Sequence, residues 1–272
     1  MRLVNRKPGR MAALSLGALP FVLLLIAYLV ASGLRLAENP DDKLMPSFAS
    51  IGAAIHQVAF TENPRSGEIV LWSDTWASLK RLGIALGASA LIGLCLGILI
   101  GIVPYLRAAL APFITALSMI PPLAILPILF IVFGLDELSK VMLIVIGIAP
   151  FIVRDIALRV GELPAEQLIK AQTLGAGSWP LMLRVVLPQM WPRLIDALRL
   201  SLGAAWLFLI AAEAIASTDG LGYRIFLVRR YLSMDIILPY VVWITLLAFC
   251  MDYVLRLLSR RLFPWAEAGA RR

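Results

Sequence analysis

Long uncharged apolar runs recur along this chain of 272 residues, separated by shorter polar segments. The first extends from Met11 to Leu34 behind a basic start of Arg2, Arg6, Lys7 and Arg10. It outruns the roughly 7–15 residues of a signal-peptide core, so it predicts an uncleaved transmembrane helix centred on Phe21 to Val30. Further runs predict spans at about Gly83–Val103, Pro112–Gly134, Val141–Leu158, Leu198–Ile215 and Ile236–Leu258. Between the first two runs, residues 35–82 are mixed. There Pro46 to Phe60 alternates with helical period, as an amphipathic helix on a surface loop does. Residues 159–195 are too polar to span and too patterned for disorder. They read as two short amphipathic helices joined at Gly175 to Ser178, with Pro188 ending the second. The predicted fold is an all-α membrane protein of about six transmembrane helices. It divides into an N-terminal helix and outer loop (1–82), a five-helix core (83–258) that includes the loop 159–195, and a basic tail (259–272).

Glycine and proline refine this picture. Gly93, Gly97 and Gly101 lie four apart on one helix face, as do Gly83 and Gly87, which allows another helix to approach closely. The third span is interrupted by Pro121, Pro122 and Pro127. Prolines free backbone carbonyls, and a bilayer tolerates that where neighbours or a water-lined cavity satisfy them. Pro121 and Pro122 therefore mark either a stretch of pathway lining or a kinked packing helix.

Composition agrees with a bilayer as solvent. Hydrophobic residues make up 61%, against roughly 45–50% in soluble domains. The formal net charge of +8 does not form a stripe that tracks nucleic acid; the basic residues flank apolar runs. With six spans both termini share a side. If that side is cytoplasmic it holds 16 of the 25 Lys and Arg, which supports both termini inside a bacterial inner membrane. The only histidine is His56, read as a surface residue. Cys95 and Cys250 lack metal-ligand spacing and read as small buried hydrophobes. No metal, cofactor or catalytic constellation is expected. No phosphate-binding loop with a following Lys is present, so the chain itself carries no ATPase site of that kind.

The most informative stretch is LPAEQLIKAQTLGAGSWPLMLRVVLP, Leu163 to Pro188. It resembles the EAA loop of ATP-binding-cassette importer permeases. Gly175 is followed after nine residues by Val185, one spacer, then Leu187 and Pro188. The head departs from the pattern, with Ile169-Lys170-Ala171 in place of Glu-Ala-Ala; Glu166 one turn earlier is available for the polar contact. The resemblance implies that Glu166, Lys170, Ala171, Gly175, Leu187 and Pro188 couple the chain to an ATPase. Met119 to Ala124, Ala211-Ala212-Glu213 and Gly220-Leu221-Gly222 resemble the nitrate, sulfonate, taurine and bicarbonate group, with some likeness to the branch linked to urea carboxylase and guanidine. That implies a type I permease working as two copies, with two ATPase subunits and a binding protein that delivers a small polar solute. The competing classes are a secondary transporter or channel without an ATPase, and a non-transporting scaffold.

Charges at bilayer depth are expensive and mark functional candidates. Glu213, in the fifth span, is either a gate residue of the pathway or a structural hydrogen-bond partner between helices. The resemblance implies that it does not select substrate charge. Asp252 in the sixth span is expected to pair with Arg256 one turn on.

Overall fold

The computed structural model describes residues 9–40, 42–64 and 67–266. Arg2, Arg6, Lys7, Arg271 and Arg272 lie outside them. Among the described residues all regular structure is helical. In order, the helices are α1 (Arg10–Glu38), α2 (Phe48–Phe60), α3 (Val70–Ile102), α4 (Pro104–Leu117), α5 (Leu126–Phe133), α6 (Glu137–Gly161), α7 (Ala165–Thr173), α8 (Ser178–Leu181), α9 (Leu187–Ala216), α10 (Leu221–Arg229) and α11 (Met234–Leu262). A 3-10 turn, Pro122–Ile125, leads into α5, and a π turn, Met182–Val186, joins α8 to α9.

Helices α3, α6 and α9 form the core, and the glycine pattern explains how closely the first two meet. A Cβ on Gly93 would lie 2.3 Å from Ile152 Cγ2; on Gly97, 2.6 Å from Ile156 Cβ; on Gly101, 2.5 Å from Val160 Cβ. Three β-branched residues of α6, four apart, sit in three glycine notches of α3. Gly147 on α6 receives the Phe208 ring of α9 in the same way, 2.4 Å from where a Cβ would stand. Packing of this kind draws helices together where lipid offers no hydrophobic drive. Gly83 and Gly87 face open space, so only the inner glycine series is used within the chain.

Among the described residues five helices are long and apolar enough to cross a membrane, and six if one bent pair counts as a span. The exception is the third expected span. Instead of one kinked helix over Pro112–Gly134, the chain has α4 from Pro104 to Leu117, then a bend of 81° into Pro122–Phe133. Two successive prolines lack N–H donors, and Pro122 forces Pro121 into extended backbone (ψ 116°), so the kink becomes a break. The second span begins at Val70, not Gly83: the mixed residues 70–82 extend the same helix.

A second correction concerns Pro188. It does not end a helix; Ser178 to Ala216 is one continuous rod of 39 residues. A proline clashes with the carbonyl four residues back and offers it no hydrogen bond. The π turn before it absorbs both faults, with Leu187 N–H donating to the Met182 carbonyl five residues back. Cys95 and Cys250 are exposed on their helices, not buried. His56 is exposed on α2, beside Phe60. Helix α1 buries none of its apolar window and is held by Tyr28 OH donating to the Pro46 carbonyl (2.7 Å) and Ser32 Oγ to that of Met45 (3.0 Å).

Candidate functional site

At one end of the core a polar knot is buried where three helices and a turn converge. Glu213, on the last turns of α9, is fully buried. Its carboxylate accepts from Ser78 Oγ (2.8 and 2.9 Å), from Arg81 Nη1 (2.7 Å) and from Gly222 N–H (2.9 Å). Arg81, 3% exposed, also grips Glu137 with Nε (2.6 Å) and Nη2 (2.7 Å), the Asp219 carboxylate, and the Asp219 carbonyl (3.2 Å). All five guanidinium donors therefore have acceptors, a pattern a lysine cannot reproduce. Lys140 binds Glu137 (2.8 Å) and Ser217 Oγ (3.1 Å).

Beside this group Asp74, 1% exposed, accepts from Gly220 N–H (3.0 Å), Arg224 Nε (2.8 Å) and Tyr240 OH (3.3 Å). The turn Ser217–Gly220 is thus fastened to α3 from both sides. Gly220 has φ +107°, and a Cβ there would meet Glu213 Cδ at 2.5 Å, so both its backbone and its bare α-carbon are required.

The sequence reading singled out only Glu213 from this cluster. Asp74, Ser78 and Arg81 escaped it because residues 70–82 read as loop. As one helix, their spacings of four and three put all three on one face. Glu137 and Lys140 fall between the expected spans Pro112–Gly134 and Val141–Leu158; they form the first turn of α6. Asp252 does contact Arg256 (3.4 Å), but its closer partner is Arg199 of α9 (Nε–Oδ1 2.8 Å).

The opposite, basic end carries the loop between α6 and α9. Helix α7 buries no residue, and Glu166 and Lys170 stand exposed on it without a side-chain partner among the described residues. Gly175 has φ +85°. Its N–H donates to the Gln172 carbonyl (2.9 Å), while Ala176 N–H reaches back to that of Ala171 (3.0 Å). This pair of bonds is the Schellman closure of a helix by a left-handed residue, which suits glycine. Ala171 is half-buried, with its carbonyl in this closure. Around the bend Leu174 (89% exposed), Trp179 (65%) and Ile169 (56%) project outward. Leu187 and Pro188 mark where the α-helical pattern resumes after the π turn. Pro121 is exposed and Pro122 half-buried at the break beside α6.

A multi-pass helical membrane protein is thereby defined, with a polar knot around the buried Glu213 and Arg81 at one end and a two-helix loop with an exposed apolar tip at the other. Residues 93–264 match the family model of the binding-protein-dependent transport system inner membrane component, and the chain belongs to that family. It is 37% identical over 198 residues to the taurine transport system permease protein TauC of Escherichia coli (strain K12), covering 73% of this chain and 72% of that one. A putative aliphatic sulfonates transport permease of Bacillus subtilis (strain 168) is 31% identical over 78% of this chain and 76% of its own. The nitrate import permease NrtB of Leptolyngbya laminosa is 27% identical over 90% and 85% respectively. In fold, the chain resembles a solved structure of the inward-facing MetNI methionine ABC transporter (TM-score 0.63, 20% identity, 70% of this chain and 95% of that one). The chain is a permease subunit of a binding-protein-dependent ABC importer; ATP hydrolysis and solute capture belong to partner chains.

Proposed function

We propose that this permease couples ATP hydrolysis to solute entry through the rod Ser178–Ala216, one end of which lies in the exposed loop while the other holds Glu213. From Trp179 to Glu213 the helix rises roughly 50 Å at about 1.5 Å per residue. A displacement of the loop by a docked ATPase reaches the knot along one helix that continues through the π turn and past Pro188. This continuity is the observation that carries the reading.

Several features support its details. Ile169, Leu174 and Trp179 offer an apolar tip to an ATPase, with Glu166 and Lys170 as free polar contacts. Glu213 acts as a gate residue: its bonds to α3 and to the Gly220 turn hold the closed state. Pro121 and Pro122 line the pathway, and the broken span presents Met119 (73% exposed), Ile131 (84%) and Val132 (65%) to a second copy of the chain. Two permeases and two ATPases then form the transporter, with the binding protein docking at the Glu213 end and the basic end and both termini in the cytoplasm. The resemblance to taurine, sulfonate and nitrate permeases supports a small polar solute containing nitrogen or sulfur.

Cysteine crosslinking tests the arrangement in membranes. Ile131→Cys, in a background with Cys95 and Cys250 replaced by serine, is expected to trap a permease dimer that co-purifies with ATPase. Recovery of a monomer with one ATPase sinks the two-copy arrangement.

A further inference from the structure

At the basic end, α3, α4 and α6 enclose a cavity of about 490 Å³ that the transport reading leaves unused. One wall is apolar, from Ile114, Val153 and Ala157. The mouth carries Arg107 and Arg154. Arg107 donates to the Ile100 carbonyl (3.2 Å) and the Gly101 carbonyl (2.5 Å), at the C-terminus of α3. Arg154 donates to Ser118 Oγ (2.8 Å), beside the break in the third span. Neither has a carboxylate partner among the described residues; the one carboxylate at the mouth, Glu162, is engaged by Arg159 (3.2 Å). Three donors of Arg107 and four of Arg154 are left unused.

Depth adds a second constraint. Arg81 in the buried knot and Gly101 at this mouth are 20 residues apart on one helix. That is roughly 30 Å, the thickness of a hydrocarbon core. Arg107 therefore sits at headgroup level; Arg154, between the Ile152 and Ile156 contacts with Gly93 and Gly97, stands roughly 9 Å further in, where its long side chain extends towards the same level. Guanidinium forks match phosphate oxygens, and basic pockets between spanning helices at a membrane face suit anionic headgroups.

We propose that this cavity binds one anionic phospholipid, its phosphate held by Arg107 and Arg154 and an acyl chain laid along Ile114, Val153 and Ala157. An occupant there bridges α4 and α6 across the break at Pro121 and steadies the broken span. Free phosphate or a small sulfonate offers the same oxyanion chemistry without a chain to fill the wall.

The intact transporter, permease with its ATPase in detergent, is titrated with dioctanoyl phosphatidylglycerol, dioctanoyl phosphatidylcholine, inorganic phosphate or taurine while its melting midpoint is followed. Only the anionic phosphatidylglycerol is expected to raise it. Arg107→Gln with Arg154→Gln is expected to weaken that response about twenty-five-fold, two arginines at about fivefold each near a membrane surface. Arg256→Gln, in the neighbouring basic patch, leaves it unchanged. Ala157→Trp fills the wall and abolishes the response with both arginines in place. An equal response to phosphatidylcholine, phosphate or taurine overturns the proposal, and so does an equal loss in Arg256→Gln. The comparison of ligands on the unaltered protein decides the matter even if a variant fails to fold.

Discussion

The two ends of the long rod that includes α9 contrast in how their polar groups are spent. Around Glu213 each named charge has its partner inside the chain, and Arg81 has no donor left over. Around Gly175 the charged side chains of α7, Glu166 and Lys170, reach no side-chain partner among the described residues, and leucine, isoleucine and tryptophan face outward. A buried ion network is costly unless it is complete, so the knot is stable only in the conformation that completes it. An exposed apolar tip has the opposite property: it is stable alone but gains by being covered. In the proposed mechanism one end stores a conformation, the other receives the ATPase, and the rod joins them.

The contrast breaks most clearly at Arg81. Arg81→Ala strands Glu213 in a buried site and is expected to remove about 3–5 kcal/mol of stability, as loss of one partner of a buried pair does. Thermal unfolding in detergent reads this directly, and Arg81→Lys should recover only part of it because the fork is lost. A wild-type melting curve for Arg81→Ala would mean that the knot holds nothing.

Gly175→Val attacks the other end. A β-branched residue at φ +85° costs about 1–3 kcal/mol locally, yet nothing packs on this position. Membrane insertion and most of the melting behaviour are expected to survive while uptake is lost. Normal uptake by the variant removes the loop from the coupling mechanism.

Glu213→Gln sharpens the comparison from the side of the knot. The amide keeps the shape but not the charge facing Arg81, at about 1–3 kcal/mol. Basal ATPase activity and maximal uptake should both change, with the ranking of competing solutes preserved. A reversal of preference between cationic and anionic solutes would make Glu213 a selectivity residue instead.

The smallest effect on the fold belongs to Glu166→Ala. No side-chain bond among the described residues is lost, so stability should stay within about 0.5 kcal/mol. Coupling of ATP hydrolysis to uptake is where the change is expected, measured in proteoliposomes as solute moved per ATP. If stability falls instead, Glu166 serves the fold and not the partner.

Much of this protein was legible in its order of residues. Apolar runs longer than a bilayer core located five of the expected spans, because lipid imposes length and hydropathy on each helix independently of its neighbours. The spacing from Gly175 to Pro188 located the loop, because helix closure at a left-handed glycine is a local event. Glu213 stood out for the same kind of reason, being a charge within an apolar run. What the tertiary structure alone decided is relational. Asp74, Ser78 and Arg81 look like ordinary surface polarity until α3 is seen to extend over them and meet Glu213, more than 130 residues away. Pro188 looks like a stop until a π turn carries the helix past it. The tandem Pro121-Pro122 announces a disturbance, but only packing against α6 fixes it as a bend of 81°. Local chemistry sets where helices and turns form. Which charges neutralise one another, and which are left for a partner, depends on contacts between segments that no short window of sequence contains.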